Sequence, residues 1–171
     1  MKTTINRMLD DRRGTAMIEF AILAPLFIGL MLCIFEIAIV SFFLSVMQTS
    51  VEDVGRSILV GDPQRAHMTA EQFRTRVCGK LPSNMDCGRL SIDVRNSETL
   101  AGLMTQSKPD LMQSGNTTYS PGGPNTYNVV RLGYIWDVVS VPPDFDISNA
   151  GPGKRLMETT TIVKVEPYNE K

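Results

Sequence analysis

Histidine occurs once in this chain, at His67, and tryptophan once. A single imidazole excludes a histidine-rich metal cage and the two-histidine helix motif of zinc peptidases. It leaves a serine–histidine–aspartate arrangement only His67 to draw on, in a polar stretch, and no Gly-x-Ser-x-Gly elbow is present. "YSPGGPN" lacks the Gly-Lys-Ser/Thr ending of a phosphate-binding loop. Charge of either sign is not in excess: 17 basic residues face 18 acidic ones, for a net charge of −1. With no basic run longer than a doublet, nothing in the charge pattern calls for nucleic acid. Carboxylates are scattered and none stands out as half of an acid–base pair. The expectation is a non-enzyme with no catalytic set, no metal site and no cofactor.

Charge is scarcest where it matters most. From Phe20 to Met47, 28 residues contain one ionisable carboxylate or base, Glu36. As a helix this stretch would be about 42 Å long, against roughly 30 Å for a bilayer's hydrocarbon core. It is about twice the length of a signal peptide's apolar region, and "FLSVMQ" after it is too bulky for a cleavage site, so the segment reads as a retained membrane span. The first 13 residues carry four Lys/Arg against two Asp, which keeps that end in the cytoplasm. The 124 residues from Gln48 onward then lie outside, with 13 basic and 14 acidic residues. Only three cysteines occur. Cys78 and Cys87 enclose "GKLPSNMD" in the exported part, where a disulfide suits an oxidising compartment and would add roughly 2–3 kcal/mol; two free thiols are the alternative. Cys33, within the membrane run, reads as a small apolar packer.

Beyond Met47 the helical pattern continues. Val51, Val54, Ile58 and Leu59 recur at helical spacing, with Glu52, Asp53 and Arg56 on other faces, until Gly61 and Pro63 end it. The outer half thus offers a stripe on which a small domain can pack. "TAEQFRTRVCGKLP" predicts a second helix, with Thr69 and Gln72 as a capping box and Gly79 or Pro82 as its end. "RLSIDVRN" alternates Leu90, Ile92 and Val94 against Arg89, Ser91, Asp93 and Arg95, a strand with one buried face. Residues 97–125 read as a polar surface loop. "YNVVRLGYIWDVVSV", Tyr127 to Val141, is a strand stopped by Pro142–Pro143, and "METTTIVKVEPY" is a last strand. The fold class is therefore α+β: a long N-terminal transmembrane helix, then a small domain with a short helix and an antiparallel sheet of about three strands.

Two carboxylates need an account. Within a bilayer an acidic residue costs roughly 2.5–3.5 kcal/mol at a helix centre, so it calls for a partner or a proton. Glu36 reads either as reaching outward to headgroups or as a helix–helix contact. Glu19 stands in "RRGTAMIEFAILAPLF", which begins at Arg12. Cleavage after Gly14 would make Thr15 the new first residue and Glu19 the fifth. The free amine at the start of an apolar helix would need a counter-ion, and a carboxylate on an adjacent subunit could provide it in a low-dielectric setting. Each copy would carry both halves of that joint, which favours staggered, open assembly. A plain interfacial Glu19 at a helix N-terminus is the competing reading.

At these residues the chain resembles the N-terminus of a type IV prepilin of the Flp/Tad kind, and most closely the TadE-like minor pseudopilins. Gly14 matches the last leader residue, Thr15 the mature first residue, Glu19–Phe20 the Glu-aromatic pair, and "AILAPLF" the helix start. "IFEIA" around Glu36 and the closing "VKVEPY" resemble further family features, whereas the Asp10–Asp11 doublet departs from a purely basic leader. The resemblance implies a pilin-like exported domain and division into a cytoplasmic leader (1–14), a long helix (15–61, spanning the membrane over about 20–47) and a periplasmic domain (62–171). It implies a single-pass protein of the bacterial inner membrane, N-terminus inside, with membrane lipid, a prepilin peptidase, the Flp pilin and other Tad pilus-assembly subunits as partners. Processing falls at Gly14 and Thr15, and Glu19, Phe20 and Glu36 serve assembly. Entry into the fibre, at its base or tip, is left open, as is the choice between TadE-like and TadF-like. The alternative is an uncleaved, single-pass scaffold or binding protein of the envelope.

Overall fold

The computed structural model describes residues 14–107, 109–138 and 147–168. The basic leader over 1–13 and the Pro142–Pro143 stop lie outside the described residues. Helix α1 runs without interruption from Thr15 to Leu59, with Pro25 inside it. Between Phe20 and Leu32 no polar side chain competes with the backbone ladder, and Gly14 caps the helix without a side-chain bond. At the other end Gly61 turns left-handed at φ 78°, a conformation that suits a residue without Cβ. Pro63 then opens a one-turn helix, α2 (Asp62–Arg65), where its missing N–H costs nothing.

The terminal carbonyls of α1 are well used. The Val60 amide donates to Arg56, Gly61 to Ile58, and Glu166 to Leu59 at 2.8 Å. Arg65 reaches the Val60 carbonyl with its guanidinium. Helix α3 (Ala70–Cys78) starts on the expected capping box, with Thr69 and Gln72 each accepting from the other's backbone. Gly79 closes it, and Cys78 forms a disulfide with Cys87, Cα–Cα 5.9 Å.

Four strands form one mixed sheet: β1 (Leu90–Ser97), β2 (Thr117–Tyr119), β3 (Tyr127–Asp137) and β4 (Lys154–Lys164), in the order β2-β1-β3-β4. The β1–β3 and β3–β4 pairs are antiparallel, as expected, with Ile92 opposite Leu132 and Val130 opposite Thr161. The β1–β2 pair is parallel. This fourth strand corrects the expectation of a polar loop over residues 97–125, which also contains helix α4 (Leu100–Thr105). Three residues are too few to show alternation; β2 is held instead by its main-chain ladder to β1, which the Ile92 amide extends at one end, donating to Asn116, and the Ser120 amide at the other, donating to Val94. Strand β3 also stops earlier than expected, at Asp137; Val138 follows it, and residues 139–141 lie outside the described ones.

The core lies between the sheet and α1. Val40, Phe43, Met47, Val51, Val54 and Ile58 point into it from the helix, meeting Leu90, Ile92, Val94, Val130, Leu132, Tyr134 and Met157, with Phe73 and Val77 from α3. Spacings of three and four along α1 put these side chains on one stripe. Each fully buried aliphatic or aromatic side chain contributes roughly 1.5–3 kcal/mol, so this stripe is the main attachment of the helix. The expectation that β1 buries one face needs correction as well. Ser91 and Asp93 on its other face are 1 % exposed, because α4 and the chain after it, with Leu103 and Leu111, cover them. Asp93 is buried as an ion-pair centre, held by Arg95 at 2.7 Å and Arg131 at 2.9 Å.

Gly55 sets how closely helix and sheet approach: a Cβ there would stand 2.7 Å from Thr161 Cγ2. Threonine's methyl cannot swing away from a packed strand. We therefore expect Gly55→Val to destabilise the domain by about 1–3 kcal/mol in denaturant unfolding, through overpacking. Replacing both Cys78 and Cys87 by serine should cost a further 2–3 kcal/mol or so, lost equally from the parent protein on reduction.

Candidate functional site

The first part of α1 stands clear of the domain. From Thr15 to Leu23 every residue is exposed, and Phe20 (71 %), Leu26 (73 %) and Phe35 (63 %) show how far along this continues. Such a row of uncovered aromatic and aliphatic side chains is not a stable water-facing surface. Among the described residues α1 is the one helix long and apolar enough to cross a membrane, with a mean hydropathy of 2.6 in its most apolar window. Continuous burial against the domain sets in at Val40, so part of the stretch expected to span, 20–47, forms domain core instead of free helix surface.

Gly14, Thr15, Glu19 and Phe20 are grouped in the first turns of α1, all exposed. An added Cβ at Gly14 would meet nothing within 4 Å, so the described structure leaves the backbone open at this point. Thr15 and Glu19, four residues apart, share one side of the helix. No ion pair reaches Glu19 among the described residues. Glu36 lies roughly 25 Å further along and in a different setting. It is half-buried and continues the stripe of Cys33, Val40 and Phe43 on the side that turns toward the domain. The structure thus brings four of the sequence-predicted residues together and sets Glu36 apart from them. Cys78 and Cys87 are separate again, in the domain.

Contacts at three levels fix the domain's seat. At the lower end the Phe43 and Trp136 rings pack with centroids 4.9 Å apart. In the middle Gln48 accepts from the Thr159 hydroxyl, and Lys80 pairs with Asp53 at 2.9 Å. At the upper end the Tyr168 ring lies against Gly61, where a Cβ would stand 2.5 Å from it, and Arg65 stacks over the same ring at 5.6 Å. The closing Val165–Glu166–Pro167–Tyr168 segment, noted in the sequence for its family likeness, therefore clamps the end of the long helix. The role of Trp136 carried no signal in sequence beyond its being a lone tryptophan in a strand.

Beside that clamp a broad groove of about 1070 Å³ opens between Pro63, Met68, Tyr119, Pro121 and Tyr168. Burial pushes the Tyr119 phenol above its ordinary range, with Arg76 opposing. Its hydroxyl and Gln64 Oε1 are buried under the wall without a hydrogen-bond partner among the described residues. No group of three or more His, Cys, Asp or Glu side chains stands close enough to hold a metal ion among the described residues.

The family model for TadE-like protein matches residues 14–56. That interval starts at the residue capping α1 and ends within its last turn, so the chain carries a TadE-like N-terminal helix. No curated protein and no solved structure matches the chain.

The Lys80 ammonium, by hydrogen bond and charge, holds the Asp53 carboxyl below the usual carboxylate range. A lowered folded-state pKa means that the pair supports the fold at and above the ordinary aspartate value of about 3.9, and loses that support as pH falls through the lowered value. Both side chains are exposed, so the effect is small. Lys80→Met is expected to melt slightly below the parent at pH 7, with the gap closing on strong acidification. A gap of the same size at acid pH would assign the loss to packing instead.

Proposed function

We propose that the protein is a TadE-like pseudopilin, inserted in the cytoplasmic membrane by α1 and taking part in Tad pilus assembly. The match over residues 14–56, falling on a helix whose stretch before Val40 is apolar and mostly uncovered, is the observation that carries this reading. Residues 15–39 make about 37 Å of helix, enough to cross the hydrocarbon core with a modest tilt. The lipid boundary on the outer side then falls near Val40, where the domain begins to cover the helix. Trp136 sits at that level beside Phe43, a position suited to an interfacial aromatic ring.

The leader ends at Gly14, and a prepilin peptidase removes it. An exposed glycine with no side chain and open surroundings supports access by a membrane protease at that bond. Thr15 then supplies a free amine, and Glu19, exposed on the same side of the helix, supplies the carboxylate that a neighbouring subunit's amine needs in lipid. In water such a pair would be worth little; with hydrocarbon around it the attraction is far larger. Glu36 faces the protein's own domain side, so Glu19 is the better candidate for contacts between subunits. The protein acts by binding and positioning, not by chemistry on a substrate.

N-terminal sequencing of the membrane-bound protein tests the processing step. The expected first residue is Thr15, and an intact Met1 terminus alongside active peptidase would instead support an uncleaved anchored scaffold. Gly14→Ala should accumulate the unprocessed form. Glu19→Ala should be processed normally yet reduce pilus number on the cell severalfold or more, scored by electron microscopy. Normal piliation in that variant would return Glu19 to a plain interfacial role.

A further inference from the structure

Strand β4 is an edge of the sheet, and its outer side is closed at both ends but open between them. In this antiparallel strand alternate residues turn their backbone groups toward β3 and away from it. Val165 bonds to Thr126 on the β3 side, so the even-numbered residues face outward. At the lower end the outward groups of Lys154 are taken by Gly151, Asn149 and Ala150. The Leu156 amide donates to Asn149 Oδ1 at 2.6 Å and its carbonyl accepts from Asn149 Nδ2 at 3.2 Å, so one side-chain amide imitates the peptide group of a missing strand. At the upper end the outward amide of Glu166 is taken by Leu59 of α1. Between these plugs the outward N–H and C=O groups of Glu158, Thr160, Ile162 and Lys164 have no partner among the described residues. All four side chains are exposed, Ile162 at 44 %. No proline or bulge interrupts the window and no helix covers it among the described residues, and its core, "TTTIV", has strong strand propensity.

We infer that the 158–164 window of β4 is a strand-addition site for an extended segment of a different protein. Backbone bonding would give the affinity, and the outward row of acid, hydroxyl, apolar group and base would select the partner's side chains. An antiparallel partner in the best register carries a basic residue opposite Glu158 and an acidic one opposite Lys164. The row is complementary to itself, since Glu158 would then meet a second copy's Lys164 and Thr160 its Ile162. A second copy is nonetheless excluded by direction, an exclusion that rests on α1 crossing the membrane. Gln48 meets Thr159, Gly55 meets Thr161 and Leu59 meets Glu166, so α1 and β4 run the same way. Two β4 strands paired antiparallel are related by a two-fold axis normal to the sheet, which would point their two α1 helices in opposite directions. Subunits inserted with one orientation in one membrane cannot do this. Parallel pairing of two copies in register would set Glu158 beside Glu158 and Lys164 beside Lys164, which removes the charge match.

A free peptide has no anchor and escapes that restriction, which makes it the probe. The blocked octapeptide Met157–Lys164, acetyl-METTTIVK-amide, should bind the full-length protein in detergent micelles saturably, read by fluorescence anisotropy of a labelled copy. Ile162→Pro deletes an outward N–H that the β3–β4 ladder does not use, so the fold should hold while binding weakens at least tenfold. Glu158→Lys, a surface change that does not touch the backbone, should weaken it likewise, and a peptide with its lysine replaced by glutamate should restore it. Absence of binding to the parent protein, or equal binding by all three proteins, would overturn the assignment. In intact cells a photo-crosslinking residue at Thr160 should give an adduct with another protein that disappears in the Ile162→Pro background. An adduct at twice the mass of the protein's own membrane-bound form, as the sole product, would overturn the exclusion of a second copy.

Discussion

The structure depends on the seat of the sheet on the outer half of α1. Without that helix the sheet would expose Ile92, Val94, Val130 and Leu132 to water, for α3 covers only part of that face. Conversely, the helix from Val40 to Ile58 has no other place to bury its stripe. One element is therefore wall of the core and continuation of the membrane-length segment. The contact is close because Gly55 has no Cβ to hold Thr161 away. It is pinned at both ends, by Phe43 on Trp136 below and by the Glu166 amide on the Leu59 carbonyl above. A domain tied at two levels of one rigid rod cannot swivel freely about it, so the direction of the rod sets the direction of every strand.

That coupling changes how the long apolar run divides. Hydropathy alone runs on smoothly to Met47, because lipid and a protein core are both apolar surroundings and a side chain suited to one suits the other. Only tertiary contact separates them. Val40, Phe43 and Met47 are buried by protein, whereas Ile39 and Phe42 on other faces of the same turns stay exposed. Glu36 falls just below this boundary, on the protein side of the helix. A carboxylate near the mouth of the domain is in a less costly place than one facing hydrocarbon at mid-depth.

Much of this was legible in the sequence, for identifiable reasons. The long helix, the Thr69–Gln72 capping box, the alternation in β1 and β4 and the β-branched, aromatic run of β3 depend on local periodicity and local side-chain chemistry, which a single chain displays directly. The grouping of Gly14, Thr15, Glu19 and Phe20 at the start of α1 follows from helix spacing alone. The parallel strand β2 did not show, since its main-chain ladder to β1 defines it and its three side chains carry no pattern. Asp93 looked like a solvent-facing residue because alternation distinguishes two faces but cannot tell that both are covered. Its burial depends on Arg131, 38 positions away, and on the cover supplied by Leu103 and Leu111.

The open stretch of β4 was invisible for a similar reason, and its position has a consequence for assembly. An edge is a matter of what fails to pair, and the plugs that delimit this one come from distant parts of the chain, Asn149 at one end and Leu59 at the other. Because Leu59 belongs to α1, the upper limit of the open window is set by the same helix that fixes the domain's orientation. The exposed backbone groups therefore stand at a defined height along the rod and run along it. An incoming strand would inherit that direction. Contacts made through the apolar start of the helix and contacts made through the strand edge are then geometrically linked although they lie far apart, since a rigid seat joins them and no flexible linker intervenes among the described residues between Thr15 and Leu59.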